Sequence, residues 1–140
     1  MESQKGTSVF VYGTLKPGGF YHDEYCGEFQ FEATCGLVHG QLYHFPALGY
    51  PGAIEHPTEH IQGVLLAFQR PEREVLTKLD VLEGYDPSRP ADVNEYYRKQ
   101  VPVFDKAGQP VCEAAWCYFM EQRKVEALNG QPLPSGLWPI

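Results

Sequence analysis

Glu83 is the residue of this sequence with the clearest chemical promise. It follows Leu79 by four positions and Leu76 by seven, so on the helix predicted from Pro71 to about Glu83 it shares the apolar stripe of Val75, Leu79 and Leu82. A carboxyl on that stripe points toward the interior, and it also sits at the negative end of the helix dipole; both features raise its pKa. The dipole contributes about 0.3–1 kcal/mol, less than one pKa unit, so a larger shift has to come from burial. A carboxyl poised near neutrality can both accept and return a proton. The plainer alternative is a solvated or salt-bridged helix end, because glutamates are mostly exposed.

Tyr12-Gly13-Thr14-Leu15 is the natural complement. The run Val9-Phe10-Val11-Tyr12 reads as a buried first strand, and Gly13 stops it. Glycine after such a strand lets successive backbone N–H groups approach a ligand carboxylate or carbonyl oxygen closely. Its plainer alternative is an ordinary turn at the end of a strand.

Other chemistries find less support. Serine occurs at positions 3, 8, 88 and 135, never within Gly-x-Ser-x-Gly, and neither a phosphate-binding Gly-x-x-x-x-Gly-Lys loop nor a dinucleotide Gly-x-Gly-x-x-Gly turn is present. His56 and His60 have the i, i+4 spacing of zinc ligands, but Pro57 lies between them in a loop-rich stretch, so they read as solvated histidines and no metal site is expected. His39 and His44 are five apart across a predicted strand, which puts them on opposite faces. A cysteine nucleophile, Cys26 or Cys35 meeting a distant histidine, is an alternative reading as a hydrolase, set against the tendency of free thiols to be packed inside. Cys112 and Cys117 fall in or beside a strand, and with no Cys-x-x-Cys pair the four cysteines read as reduced.

The elements that must position Glu83 and the Tyr12 loop follow from local pattern. Glycine-containing strands are predicted around Leu37–Tyr43 and Ile61–Phe68, where Gly40 and Gly63 mark bulges or sharp bends of a strongly curved sheet. Phe45 to His60 is loop-rich, with Pro46, Gly49, Pro51, Gly52 and Pro57. Pro71 opens the helix and Gly84 ends it; Val81 faces outward and Asp80 sits on the flank. Strands near Lys99–Phe104 and Val111–Met120 form a hairpin across Asp105–Gly108. Phe20–Phe31 fits a short irregular helix as well as a loop. The fold class is α+β, a small mixed β-barrel or strongly curved sheet with one main helix and long connecting loops.

Composition narrows the partners. A chain of 140 residues suits one domain, 1–140, with residues 1–7 and 129–140 as flexible or extended tails. Apolar residues at 43% and charged residues at 21% exclude a disordered chain. Eleven Lys plus Arg against 18 Asp plus Glu give a net charge of −7 with no basic stripe, so neither nucleic acid nor an anionic membrane is an expected partner. The apolar run before Gly13 is too short for a signal-peptide core, and no stretch approaches the roughly eighteen residues of a membrane helix. A cytoplasmic protein of undefined oligomeric state is expected.

Taken together, Tyr12-Gly13-Thr14-Leu15, Gly40-Gln41-Leu42-Tyr43, Tyr50-Pro51-Gly52, the strand at Gly63, Leu79-Asp80-Val81-Leu82-Glu83-Gly84-Tyr85, Tyr96-Tyr97-Arg98 and Trp116-Cys117-Tyr118 occur in an order that resembles the γ-glutamyl cyclotransferase-like family, near its short γ-glutamylamine cyclotransferase branch. The resemblance runs from Val9 to Met120. It implies a small mixed barrel and an enzyme that cyclises a γ-glutamyl compound to 5-oxoproline, releasing an amine or amino acid, with no metal or organic cofactor. It further implies that Glu83 is the general acid and base, that Tyr12, Gly13, Thr14 and Leu15 bind substrate, and that Tyr118 lies near the pocket. Asp86–Asn94 departs from the pattern as a longer polar loop at the pocket mouth, which leaves the leaving amine undefined. A non-enzymatic module binding a small anionic metabolite is the competing reading. An intact Glu83 favours catalysis, since a binder of a carboxylated ligand gains nothing from a buried negative charge.

Overall fold

In the computed structural model, which describes residues 6–19, 22, 30–90 and 93–138, five strands close into a small barrel. They are β1 (Thr7–Val11), β2 (Phe31–His39), β5 (His60–Phe68), β6 (Tyr97–Phe104) and β7 (Pro110–Phe119), hydrogen-bonded in the order β1-β5-β2-β6-β7. The pairs are antiparallel except β1 with β7, which meet in parallel at Val9 and Trp116 and close the ring. A second sheet sets β3 (Gln41–Phe45) between β4 (Tyr50–Ile54) and β8 (Gln131–Pro132).

β1 is buried on both faces, and alternation sends its residues to different cores. Phe10 joins Val38, Val103, Ala115 and Cys117 in one cluster, while Val9 and Val11 join Leu66, Phe68, Val75, Leu76 and Leu79 in the other. The tight curvature has a local cause. Gly36 on β2 lies opposite Gly63 on β5, and a β-carbon on Gly63 would stand 2.6 Å from the ring of Phe10. Two facing positions without side chains make room for that ring.

The helix predicted from Pro71 is α1 (Glu72–Leu82), with Pro71 at its N-cap and Val75, Leu76 and Leu79 buried against the barrel. Each such side chain contributes roughly 1.5–3 kcal/mol on leaving water. Val81 is 74% exposed, as its place on the wheel requires. Gly84, at φ 61°, closes the helix: its N–H donates to the carbonyl of Val81 and that of Tyr85 to Asp80. This double closure leaves Glu83 as the C-cap residue, turned off the helix end at a fixed angle.

Several sequence expectations need correction. The strand expected over Leu37–Tyr43 is two strands in different sheets, divided at Gly40, where a β-carbon would meet Ile61 at 2.5 Å. His39 and His44 therefore sit in separate strands, and the His39 ring lies 4.8 Å from that of His60. The loop-rich stretch after Phe45 contains β4, a strand that includes Pro51 and Gly52. A short helix, α2 (Gln122–Ala127), follows β7 where none was expected. Within the expected tails, Thr7 begins β1, and Gln131–Pro132 pair with β3 as β8. Further on, Leu133 donates to Leu42 and Trp138 packs on the core. The ambiguous Phe20–Phe31 segment lies mostly outside the described residues.

Candidate active site

The loop leaving β1 and the end of α1 face one another across a cavity of about 200 Å³. Tyr12, Gly13, Thr14 and Leu15 line it from the first side and Leu82 and Glu83 from the second. Tyr50 and Pro51 of β4, Glu95 and Tyr96 ahead of β6, and Tyr118 of β7 complete the wall. All six residues singled out in the sequence, Glu83, Tyr12, Gly13, Thr14, Leu15 and Tyr118, thus border a single space.

The loop is shaped by contact as well as by turn geometry. Lys16 N–H donates to the carbonyl of Gly13 at 3.0 Å. A β-carbon on Gly13 would lie 2.7 Å from Cγ of Pro51, so glycine is what lets β4 close on the loop. Among the described residues nothing accepts the amide hydrogens of Thr14 and Leu15. Paired successive donors of this kind suit an anionic or carbonyl oxygen.

Phenols brace the rest. Tyr12 donates to the backbone carbonyl of Tyr118 and Tyr96 to that of Pro51, each at 2.7 Å. Tyr118 donates to Asp80 at 2.5 Å, and Arg98 grips the same carboxylate through Nε at 2.9 Å and Nη2 at 3.2 Å. The Arg98 guanidinium in turn stacks over Trp116 and Tyr85. Tyr50 donates to Glu95 at 2.5 Å. Burial holds the phenols of Tyr12, Tyr96 and Tyr118 well above the usual tyrosine value, and the charge of Glu83 adds to this in all three.

Glu83 is the carboxyl these groups surround. Burial pushes its pKa up to about 8, and the neighbouring acids Glu95 and Asp80 push in the same direction. Among the described residues, no Lys, Arg or His lines the cavity to offset them. The helix dipole anticipated from sequence has the same sign, but desolvation is the larger cause. At neutral pH the carboxyl is mostly protonated, and its pKa lies close to the ordinary α-amine value of about 7.7–8.0.

Sequence reading missed Glu95 and Asp80. Asp80 carries a usable signal, lying three residues before Glu83 and hence on a neighbouring part of the helix surface. Glu95 carries none; it sits in irregular chain, and its backbone N–H donates to the carbonyl of Gly84. Other candidates lie elsewhere. Cys35 is exposed and borders a separate cleft that no histidine lines among the described residues, Cys117 is buried with its thiol pushed up, and Cys26 falls outside the described residues. Among the described residues no cluster of His, Cys, Asp and Glu could hold a metal ion, and no helix is long and apolar enough to cross a membrane.

The chain belongs to the γ-glutamyl cyclotransferase, AIG2-like family, whose model matches residues 9–139. Solved structures share the fold. An AIG2-like protein from Mus musculus matches with a TM-score of 0.72 at 20% identity, over 97% of this chain and 90% of that one. A γ-glutamyl cyclotransferase structure matches with a TM-score of 0.59 at 15% identity, over 84% of this chain and 68% of that one. YkqA of Bacillus subtilis matches with a TM-score of 0.63 at 21% identity; 95% of this chain is covered, but the chain spans only 39% of that protein's length. Comparison with curated proteins by sequence gives no match.

Proposed function

We propose that residues 1–140 act as one γ-glutamyl cyclotransferase domain, converting a γ-glutamyl compound to 5-oxoproline with release of an amine or amino acid. The observation that carries this reading is a carboxyl raised to about 8 that lines one small cavity together with Thr14 and Leu15, whose amide hydrogens have no acceptor among the described residues. Family membership and the shared fold support it.

Both reacting groups belong to one substrate, so the protein's task is to hold a folded conformer, move a proton and stabilise negative charge on oxygen. The Glu83 carboxylate takes a proton from the substrate α-ammonium. The freed amine attacks the γ-carbonyl, a C–N bond forms, and the carbonyl oxygen becomes an oxyanion facing the backbone donors of Gly13, Thr14 and Leu15. The bond from the γ-carbon to the leaving nitrogen then breaks as Glu83 delivers a proton to that nitrogen. The α-nitrogen sheds two protons on becoming a lactam N–H and the leaving nitrogen gains two as an ammonium, so the reaction is proton-neutral. Matched pKa values for Glu83 and an α-amine make the first transfer nearly thermoneutral. Tyr118 and Tyr12 line the cavity together with Glu83, whose burial there disfavours its charged form.

The test is a panel of γ-glutamyl compounds incubated with the purified protein, with product identified by mass. Release of 5-oxoproline that disappears in Glu83→Gln supports the reading. Full activity in that variant refutes the role given to Glu83, and ligand-raised melting temperature without turnover across the panel favours a binding module.

A further inference from the structure

A second cleft of about 350 Å³ backs onto the cavity just described, sharing Glu95 and Tyr96 with it. Tyr85, Pro87 and Tyr97 give it an apolar lining, and it also borders Arg89, Asn94, Glu121 and Lys124. Its charges are not equivalent. Glu121 accepts from Arg123 at 3.0 Å, and Glu95 accepts from Tyr50. Arg89 is held by Asn94 Oδ1 at 2.8 Å and by the carbonyl of Gly84 at 3.2 Å. Lys124, half-buried on α2, has no hydrogen-bond or ion-pair partner for its ammonium among the described residues.

The two spaces are therefore opposite in what they lack. Among the described residues the Glu83 cavity holds acids and no cation, which suits the ammonium end of a ligand. The cleft beyond Glu95 and Tyr96 holds an unpaired cation above an apolar lining, which suits a carboxylate carried on a short aliphatic stem. A γ-glutamyl compound lying across the shared wall would place its glutamyl part in the first space and its leaving group in the second. We infer that the second cleft is the leaving-group subsite and that Lys124 makes it select amines bearing a carboxylate, amino acids above all, over plain alkylamines. This rests on the cyclotransferase reading, and it assigns the choice of substrate to α2 and to the loop around Arg89 and Asn94.

The experiment measures 5-oxoproline release by the full chain from γ-glutamyl ω-amino acids of increasing stem length and from γ-glutamyl alkylamines of the same lengths. The expected result is a kcat/KM for the best-fitting carboxylate at least about tenfold above its alkyl counterpart, as for one charge-assisted contact. That ratio should fall to near one in Lys124→Gln, drop below one in Lys124→Glu and persist in Lys124→Arg, each variant first checked for an unchanged melting temperature. Equal turnover of the two series by the parent chain, or an undiminished ratio in Lys124→Gln, overturns the assignment while leaving the cyclotransferase reading intact. If no member of either series yields 5-oxoproline, the cyclotransferase reading itself fails and the subsite falls with it.

Discussion

The phenol of Tyr118 donates to Asp80 at 2.5 Å, tying the β7 wall of the cavity to the helical turn that delivers Glu83. Asp80 is three residues before Glu83, and its charge is one of the two that raise the Glu83 carboxyl beyond the effect of burial. One hydrogen bond thus fixes a wall of the site and holds in place a charge that tunes its acid.

Glu83→Gln should lower 5-oxoproline release by about 10²–10⁴-fold, the range for loss of a general acid and base, with circular dichroism unchanged. It should also stabilise the protein at alkaline pH. Between 4.5, the ordinary carboxyl value, and about 8, the native state keeps a proton that the unfolded chain has lost. The contribution of the neutral carboxyl is therefore whole below 4.5 and lost as pH rises through about 8. Thermal melts across that window should show the parent losing stability, at most about 1.4 kcal/mol per pH unit from this group, and the Gln variant lacking that slope.

Glu95→Gln removes the like charge that, after burial, contributes most to the raised pKa of Glu83. The acid limb of the kcat/KM profile, expected near 8 in the parent, should move to lower pH. A merely structural role for Glu95 would lower the plateau and leave the limb where it was.

Gly13→Ala puts a methyl where Cγ of Pro51 stands 2.7 Å and Cδ 3.0 Å away. Either the loop or β4 must shift, at about 1–3 kcal/mol for overpacking. Activity should fall by more than about tenfold, because donors aimed at a developing oxyanion act only when closely placed. Denaturant melts give the first quantity and steady-state kinetics the second.

Arg98→Ala strips Asp80 of a two-pronged partner in a pair whose side chains are 19% and 15% exposed. A loss of about 1–3 kcal/mol is expected, below that of a fully buried pair because solvent still reaches it. With its counter-charge gone, Asp80 should drive Glu83 higher and shift the acid limb to alkaline pH. Arg98→Lys should fall between, since it keeps the charge but not the fork or the stacking on Trp116 and Tyr85.

Local pattern alone determined a good part of this. The periodicity of Val75, Leu79 and Leu82 marked α1, Gly84 marked its end, and the same spacing turned Glu83 inward; β1, β5 and the β6–β7 hairpin were legible from their apolar runs and turns. These features are set within a few residues, where backbone geometry and side-chain direction suffice. Tertiary structure decided what brings distant chain together. Tyr12 reaches Tyr118 across 106 positions, Tyr50 reaches Glu95 across 45, and β4, whose proline and glycine read as loop, pairs along β3 and meets Gly13 through Pro51. The acidity of Glu83 belongs to the same class: the helix dipole could be anticipated, but burial and the nearby charges of Glu95 and Asp80, which carry its pKa to about 8, arise only once the barrel has closed.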